Sequence, residues 1–181
     1  ATFVSMAPII LYTDIISGPN TGGENNKGIY LSVFGKNFGT SGLGTSTKVF
    51  INNVEVDNYR YLGVSKGRSD IQQITVQIGA IGNPAAGSPL PIKVSVNGID
   101  SNTDKTFIVN PGNIYFVNNV SGVDTADTTT GGTFAAPFKT VQKSAGVNIS
   151  FAIASAANAG AWGRVRAGDF IVMRGTGTPY T

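Results

Sequence analysis

The 181-residue chain contains neither cysteine nor histidine. Without cysteine it has no disulfide and no thiolate metal site, and without histidine it lacks the commonest general base and the commonest zinc ligand. Ser-His-Asp and Cys-His catalysis are therefore excluded for this chain. Charge is scarce too: Asp, Glu, Lys and Arg make up 13% of the residues, 13 basic against 10 acidic. The basic residues are scattered, and the stripe of Lys and Arg that neutralises a nucleic-acid backbone is missing, so no nucleic-acid partner is expected. No run approaches the roughly 20 apolar residues of a membrane helix, and no membrane insertion is expected.

What the chain has instead is glycine, 24 residues of it, together with abundant Thr, Ser and Asn. This composition fits many extracellular β-proteins of bacteria better than a cytosolic enzyme, and the expectation is a secreted or cell-surface bacterial protein. Residues 1–12 are apolar but lack the positive n-region of a signal peptide. A start at alanine suits a mature chain after signal removal, and equally a chain simply cut there. The length suffices for one ordinary domain or two small ones.

The stretch GIYLSVFGKNFG, residues 28–39, organises the first half. Ile29, Leu31 and Val33 alternate with Tyr30, Ser32 and Phe34, as in a strand with one aliphatic face. Gly35 and Gly39 bracket Lys36-Asn37-Phe38, a spacing that predicts a tight reversal with Phe38 folding back to plug the end of a core. Before it, residues 8–17 (PIILYTDIIS) read as one strand. After it, strands are expected at residues 48–51, 59–64, 74–78, 91–97 and 106–109, with a charged loop over 65–70 and a Gly/Pro/Ala loop over 79–89. Asn52-Asn53 and Asn97-Gly98 are the dipeptides that two-residue hairpins favour. Seven or so short strands in about 110 residues, separated by turn signals, point to an antiparallel sandwich.

The order Pro8-x-Ile10, Ser17-Gly18-Pro19, Gly22-Gly23, Gly35-x-Asn37-Phe38-Gly39, Val49-x-Ile51, Pro91-x-x-Val94-x-Val96 and Phe107-x-Val109 resembles an IPT/TIG domain. That resemblance covers residues 7–110 and implies an immunoglobulin-like β-sandwich over residues 1–110. Asn52-Asn53 departs from the family, which usually has glycine there. Domains of this kind serve as spacers, carbohydrate-associated modules, adhesin repeats or DNA-binding and dimerising units, so the fold leaves function open; the missing basic stripe argues against DNA.

Pro111-Gly112 marks a boundary, and residues 111–181 read as a second module. Residues 114–117 (IYFV) form a strand and 118–132 a polar loop. A helix is expected to begin at Pro137, with Val141 and Ala145 on one face. In residues 147–160 an Ala-rich helical reading competes with the strand-like alternation of Val147, Ile149, Phe151 and Ile153, and helix is favoured. Residues 168–175 (GDFIVMRG) read as a turn and a strand.

The succession IYFVNN, GVDTADTTTGGT, AAPFKTVQKSA and AGDFIVMRGTG resembles the N-terminal cap and first rung of a right-handed parallel β-helix, as in secreted pectate-lyase-like and alginate-lyase-like proteins. The fold class expected is thus mainly β, an immunoglobulin-like sandwich followed by the capped start of a parallel β-helix. Two departures stand out: about twenty extra residues (146–167) before Gly168-Asp169, and barely one rung. One rung cannot bury a solenoid core alone, so either further rungs or another copy or chain is expected to cover it.

In the lyase families this resembles, catalysis lies on later rungs, so no catalytic residue is assigned here. Asp124 and Asp127, with neighbouring carbonyls, form a candidate calcium site, against the alternative of a solvated turn. Asp169 reads as a turn or cap residue. Tyr59, Tyr61 and Trp162 are candidates for stacking on a sugar ring, against ordinary packing, and Arg164 and Arg166 for pairing with an acidic polysaccharide. Two sequons, at Asn119 and Asn148, are of the kind that arise by chance in such a composition.

The functional expectation is the non-catalytic N-terminal region of a secreted bacterial β-helix protein that binds or degrades polysaccharide. The alternative is a cell-surface or filament-forming structural protein whose modules mediate assembly, by self-association through the open rung.

Overall fold

Alternating aliphatic residues become paired strands throughout the first hundred residues. The computed structural model describes residues 6–79, 81–82, 84–85, 87–123, 132–139 and 167–179. Among these the chain is mainly β, with several sheets and none closed. It divides into two compact units, residues 1–21 with 27–110, and residues 22–26 with 111–181.

The first unit contains two sheets. One has the order β1 (Ile9–Thr13), β3 (Tyr30–Lys36), β7 (Arg68–Gln77), β6 (Asn58–Ser65), all antiparallel. The other has the order β2 (Ser17–Gly18), β10 (Thr106–Val109), β8 (Pro89–Val96), β4 (Thr47–Ile51), β5 (Val54–Glu55), with β9 (Ile99–Asp100) also paired to β8. Each sheet buries one face. Leu31, Val33, Ile74 and Val76 are buried in the first sheet, and Val49, Ile51, Ile92, Val94 and Phe107 in the second.

The turns follow the side chains. Asn52 and Asn53 both have positive φ (55° and 61°), as do Asn97 and Gly98 (50° and 81°). Positive φ at both central residues gives a loop the twist that matches its flanking strands, and asparagine tolerates it. Both pairs close two-residue hairpins, Ile51 opposite Val54 and Val96 opposite Ile99.

Three local expectations are corrected. Residues 8–17 are not one strand: the Asp14 carboxylate accepts the amides of Ile15 at 2.9 Å and Ser32 at 2.8 Å, β1 ends, and β2 pairs in parallel with β10 of the other sheet. A side chain that satisfies two amides lets the chain leave its ladder without stranding donors. The charged stretch 65–70 is not a loop but a hairpin, with only Lys66 and Gly67 between β6 and β7. Gly35 does not bracket the reversal. It lies within β3, opposite Ile10 and Gln72, where a Cβ would collide with the carbonyl oxygen of Ile9 and the ring of Phe38.

The reversal itself comes at Asn37 and Gly39, whose φ values are 61° and 78°. It is fixed from both sheets. Gln72 of β7 accepts the Phe38 amide at 2.7 Å and donates to the Gly39 carbonyl at 2.5 Å. Thr47 of β4 donates its hydroxyl to the Phe38 carbonyl at 2.9 Å. Phe38 is thereby held with its side chain fully buried, the plug that its position in the sequence suggested.

In the second unit, β11 (Ile114–Val117) pairs in parallel with β12 (Phe170–Met173), Ile114 opposite Phe170 and Val117 opposite Met173. Asp169 caps the start of this pair by accepting the Asn113 amide at 2.6 Å. No helix begins at Pro137. Phe138 donates its amide to Phe116 at 2.9 Å and its carbonyl accepts from Asn118 at 2.7 Å, which lays residues 137–138 along the other edge of β11. Phe138 packs with Tyr115, Val117 and Ile171 in a small core. Val141, Ala145 and residues 147–160 lie outside the described residues.

Candidate functional site

The outer face of the four-stranded sheet carries a group of at least partly exposed aromatic residues, Tyr12, Tyr30, Phe34 and Tyr61. Register places them in rows across the strands: Tyr12, Phe34, Gln73 and Gly63 in one, Ser32, Thr75 and Tyr61 in the next, Tyr30, Gln77 and Asn58 in a third. Tyr12 of β1 stacks on Phe34 of β3, with ring centroids 4.7 Å apart and planes 15° from parallel. Such a cross-strand aromatic pair stabilises the sheet. Tyr12 remains 39% exposed.

Two strands away, Tyr61 lies back along its own strand. Its hydroxyl donates to the Val64 carbonyl at 2.7 Å, and a Cβ on Gly63 would stand only 2.7 Å from that hydroxyl. The glycine gives the ring a bare backbone to lie against. The Lys66 ammonium stands 6.0 Å from its centroid. Between the two aromatic positions, Gln73 donates to the Thr75 hydroxyl at 3.0 Å, and Thr75 and Ser32 share a hydrogen bond of 3.1 Å. In the third row Arg60 lies 5.9 Å from the Tyr30 ring and donates to Gln77 Oε1 at 2.7 Å.

Tyr59 and Tyr61 are two residues apart in one strand, a spacing that puts side chains on one face of a regular strand. The structure separates them. Tyr59 is opposite Val76 and Tyr61 opposite Thr75, so Arg60 is an extra residue in β6 and the two tyrosines face opposite sides. Tyr59 faces inward, its ring against Gly44. Its hydroxyl accepts the Val49 amide at 3.0 Å and donates to Glu55 Oε1 at 3.2 Å, joining β6 to β4 and β5 of the other sheet. Burial, aided by the neighbouring Glu55 carboxylate, pushes this phenol from 10.0 up to about 12. Of the two tyrosines of β6 named as stacking candidates, Tyr61 lies on the outer face with Tyr12 and Phe34, whereas Tyr59 packs inward. Sequence reasoning passed over Tyr12 and Phe34, and their signal was a matching aromatic at the outward position of two adjacent strands.

The remaining candidates, Trp162, Arg164, Arg166, Asp124 and Asp127, lie outside the described residues. Among the described residues no group of three or more His, Cys, Asp or Glu is placed to hold a metal ion, and no helix is long and apolar enough to cross a membrane.

No family model and no curated protein matches the chain. A solved structure described as a structural genomics protein of unknown function from Bacteroides thetaiotaomicron VPI-5482 is similar to it, at 19% identity and a TM-score of 0.36 over 69% of this chain. The chain spans 28% of the length of that structure.

Proposed function

We propose that the chain is the non-catalytic N-terminal region of a secreted bacterial protein that binds or degrades polysaccharide. Residues 1–110 form an immunoglobulin-like sandwich of IPT/TIG type acting as a glycan-associated module or spacer. Residues 111–181 form the cap and first rung of a parallel β-helix, whose further rungs would hold any lyase chemistry. Two features of the first unit support the sandwich: each sheet buries one face, and Tyr59 hydrogen-bonds from one sheet to the other. The parallel pairing of β11 with β12 supports the β-helix, because successive rungs pair in parallel.

The observation that carries the polysaccharide reading is the outer face, where the Tyr12–Phe34 stack and the Tyr61 ring are separated by the amide and hydroxyl groups of Gln73 and Thr75. Sugar rings offer apolar C–H faces rimmed by hydroxyls, which flat aromatic rings and nearby polar groups complement. Affinity electrophoresis against a panel of neutral and acidic polysaccharides tests it. Retardation by at least one polymer is expected, and loss of that retardation in Tyr12→Ala. Migration unchanged by every polymer would remove the reading.

The second reading, a surface or filament-forming structural protein, draws on the second unit, where Val120, Val123 and Met173 are all more than half exposed. It predicts sedimentation that grows heavier with protein concentration, and a concentration-independent coefficient would count against it.

A further inference from the structure

We propose that Asn102 is a guard over the open edge of β1: its side-chain amide takes the place of a neighbouring strand and keeps two copies of this chain from pairing β1 to β1. Such a guard is independent of what the outer face of the sheet binds.

The sequence makes β1 an edge that needs guarding. Among the described residues β1 is the outermost strand of its sheet, paired on one side to β3. Residues 6–13 (MAPIILYT) hold no charged residue, and Ile9 and Leu11 keep 45% and 40% of their surface exposed. An uncharged strand of β-branched and aromatic residues, open along one side, is a template for another chain. Pro8 before the strand and the extra residue Leu11 within it narrow the usable edge to the neighbourhood of Ile10.

Ile10 is where Asn102 sits. The Ile10 amide donates to Asn102 Oδ1 at 2.7 Å, and Asn102 Nδ2 donates to the Ile10 carbonyl at 2.9 Å. One side chain thus makes both of the bonds that a facing residue makes in an antiparallel pair. Two copies would exchange the same two bonds, Ile10 to Ile10 about a two-fold axis, so the occupant of an unguarded edge is a second copy. A primary amide suits the task because it carries a donor and an acceptor on one uncharged planar group.

The amide is held in place from the other sheet. Ser101 donates its amide to the Val94 carbonyl of β8 at 2.8 Å, and its hydroxyl accepts the Val94 amide at 3.0 Å and donates to the Asn102 carbonyl at 2.8 Å. Asp104 also accepts from Asn102 Nδ2. A tie whose purpose was to join the sheets would be stronger at a buried position. Asn102 is exposed, on the solvent side of the edge, where its bonds compete with water.

Sedimentation of the full 181-residue chain and its variants tests the guard, with near-ultraviolet circular dichroism to check that each is folded. Folded Asn102→Ala is expected to show an average mass that climbs from the wild-type value toward twice it over about a hundredfold rise in concentration. Adding a charge to the edge of the same chain, Asn102→Ala with Leu11→Lys, should restore the wild-type profile. Asn102→Asp keeps an acceptor for the Ile10 amide, loses the donor and places a charge at the edge, so it should sediment as wild type. Where alanine unfolds the chain, Asn102→Ser, whose side chain is too short to reach both groups, takes its place. Sedimentation of the folded variant identical to wild type overturns the guard. Association that Leu11→Lys leaves unchanged, or that Asn102→Asp shows equally, overturns it too, because the contact would then lie elsewhere or follow from the lost tie alone. Unfolding of both the alanine and the serine variants overturns it as well, since Asn102 would then hold the sandwich together rather than shield its edge.

Discussion

On the inner face of the sheet β1-β3-β7-β6, Leu31, Val33, Ile74 and Val76 are shut away from solvent, whereas on its outer face Tyr12 keeps 39% of its surface exposed. The same four strands build both faces. Inside, aliphatic side chains alternate regularly: Gly35 leaves room for Phe38 to lie against the backbone, and Gln72 and Thr47 bond the polar groups of the corner. Outside, the rings rest on glycine or on each other, and the polar groups bond sideways along the surface. Close packing decides the inner face, where a misplaced methyl group is felt, and leaves the choice of side chain freer on the outer face.

If that contrast is right, substitutions should fall in order of depth. Phe38→Ala should lose about 4 kcal/mol in chemical denaturation, through the cavity left in the core. Gly35→Ala should lose about 3 kcal/mol, because the added carbon meets the Ile9 carbonyl and the Phe38 ring, and neither can withdraw without breaking the β1–β3 register. A loss below 1 kcal/mol there would mean that the corner is looser than its hydrogen bonds imply. Tyr59→Phe should lose about 1–2 kcal/mol by leaving the Val49 amide unpaired. Tyr12→Ala should change stability by less than about 1 kcal/mol, since it removes only a surface stack. A large unfolding effect from Tyr12 would break the contrast.

Tyr59 adds a dependence on pH. Its phenol is raised in the folded chain, so the neutral form is the one folding favours. The stabilisation is full below pH 10, the value of an unperturbed phenol, and is lost as pH rises through about 12. Wild-type denaturation midpoints should fall across that window in step with tyrosinate absorbance. In Tyr59→Phe this component of the fall should vanish.

Much of the first unit was legible because its signals are local. Asn52-Asn53 and Asn97-Gly98 carry their turn geometry in their own side chains, and the burial of Phe38 follows from its place between a strand and Gly39. What could not be read depends on partners distant in sequence. The bulge at Arg60 shows only when β6 is set against β7, and it turns Tyr59 and Tyr61, identical residues at an identical spacing, to opposite faces. The end of β1 depends on Asp14 reaching Ser32, 18 residues on. The helix expected at Pro137 gives way to Phe138 lying along β11, a tertiary pairing that overrides a local start signal.

The strand that changes sheets after Asp14 also determines how the first unit bears tension. β2 and β10 run in parallel near opposite ends of its sequence, linked by the Ile108 amide to the Ile16 carbonyl at 2.9 Å and the Asn110 amide to the Gly18 carbonyl at 3.1 Å. A pull directed back toward residue 6 and forward beyond Asn110 drags these two strands lengthwise in opposite directions. Their bonds are then loaded together rather than peeled apart one by one, and the early crossing from one sheet to the other acts as a mechanical clamp.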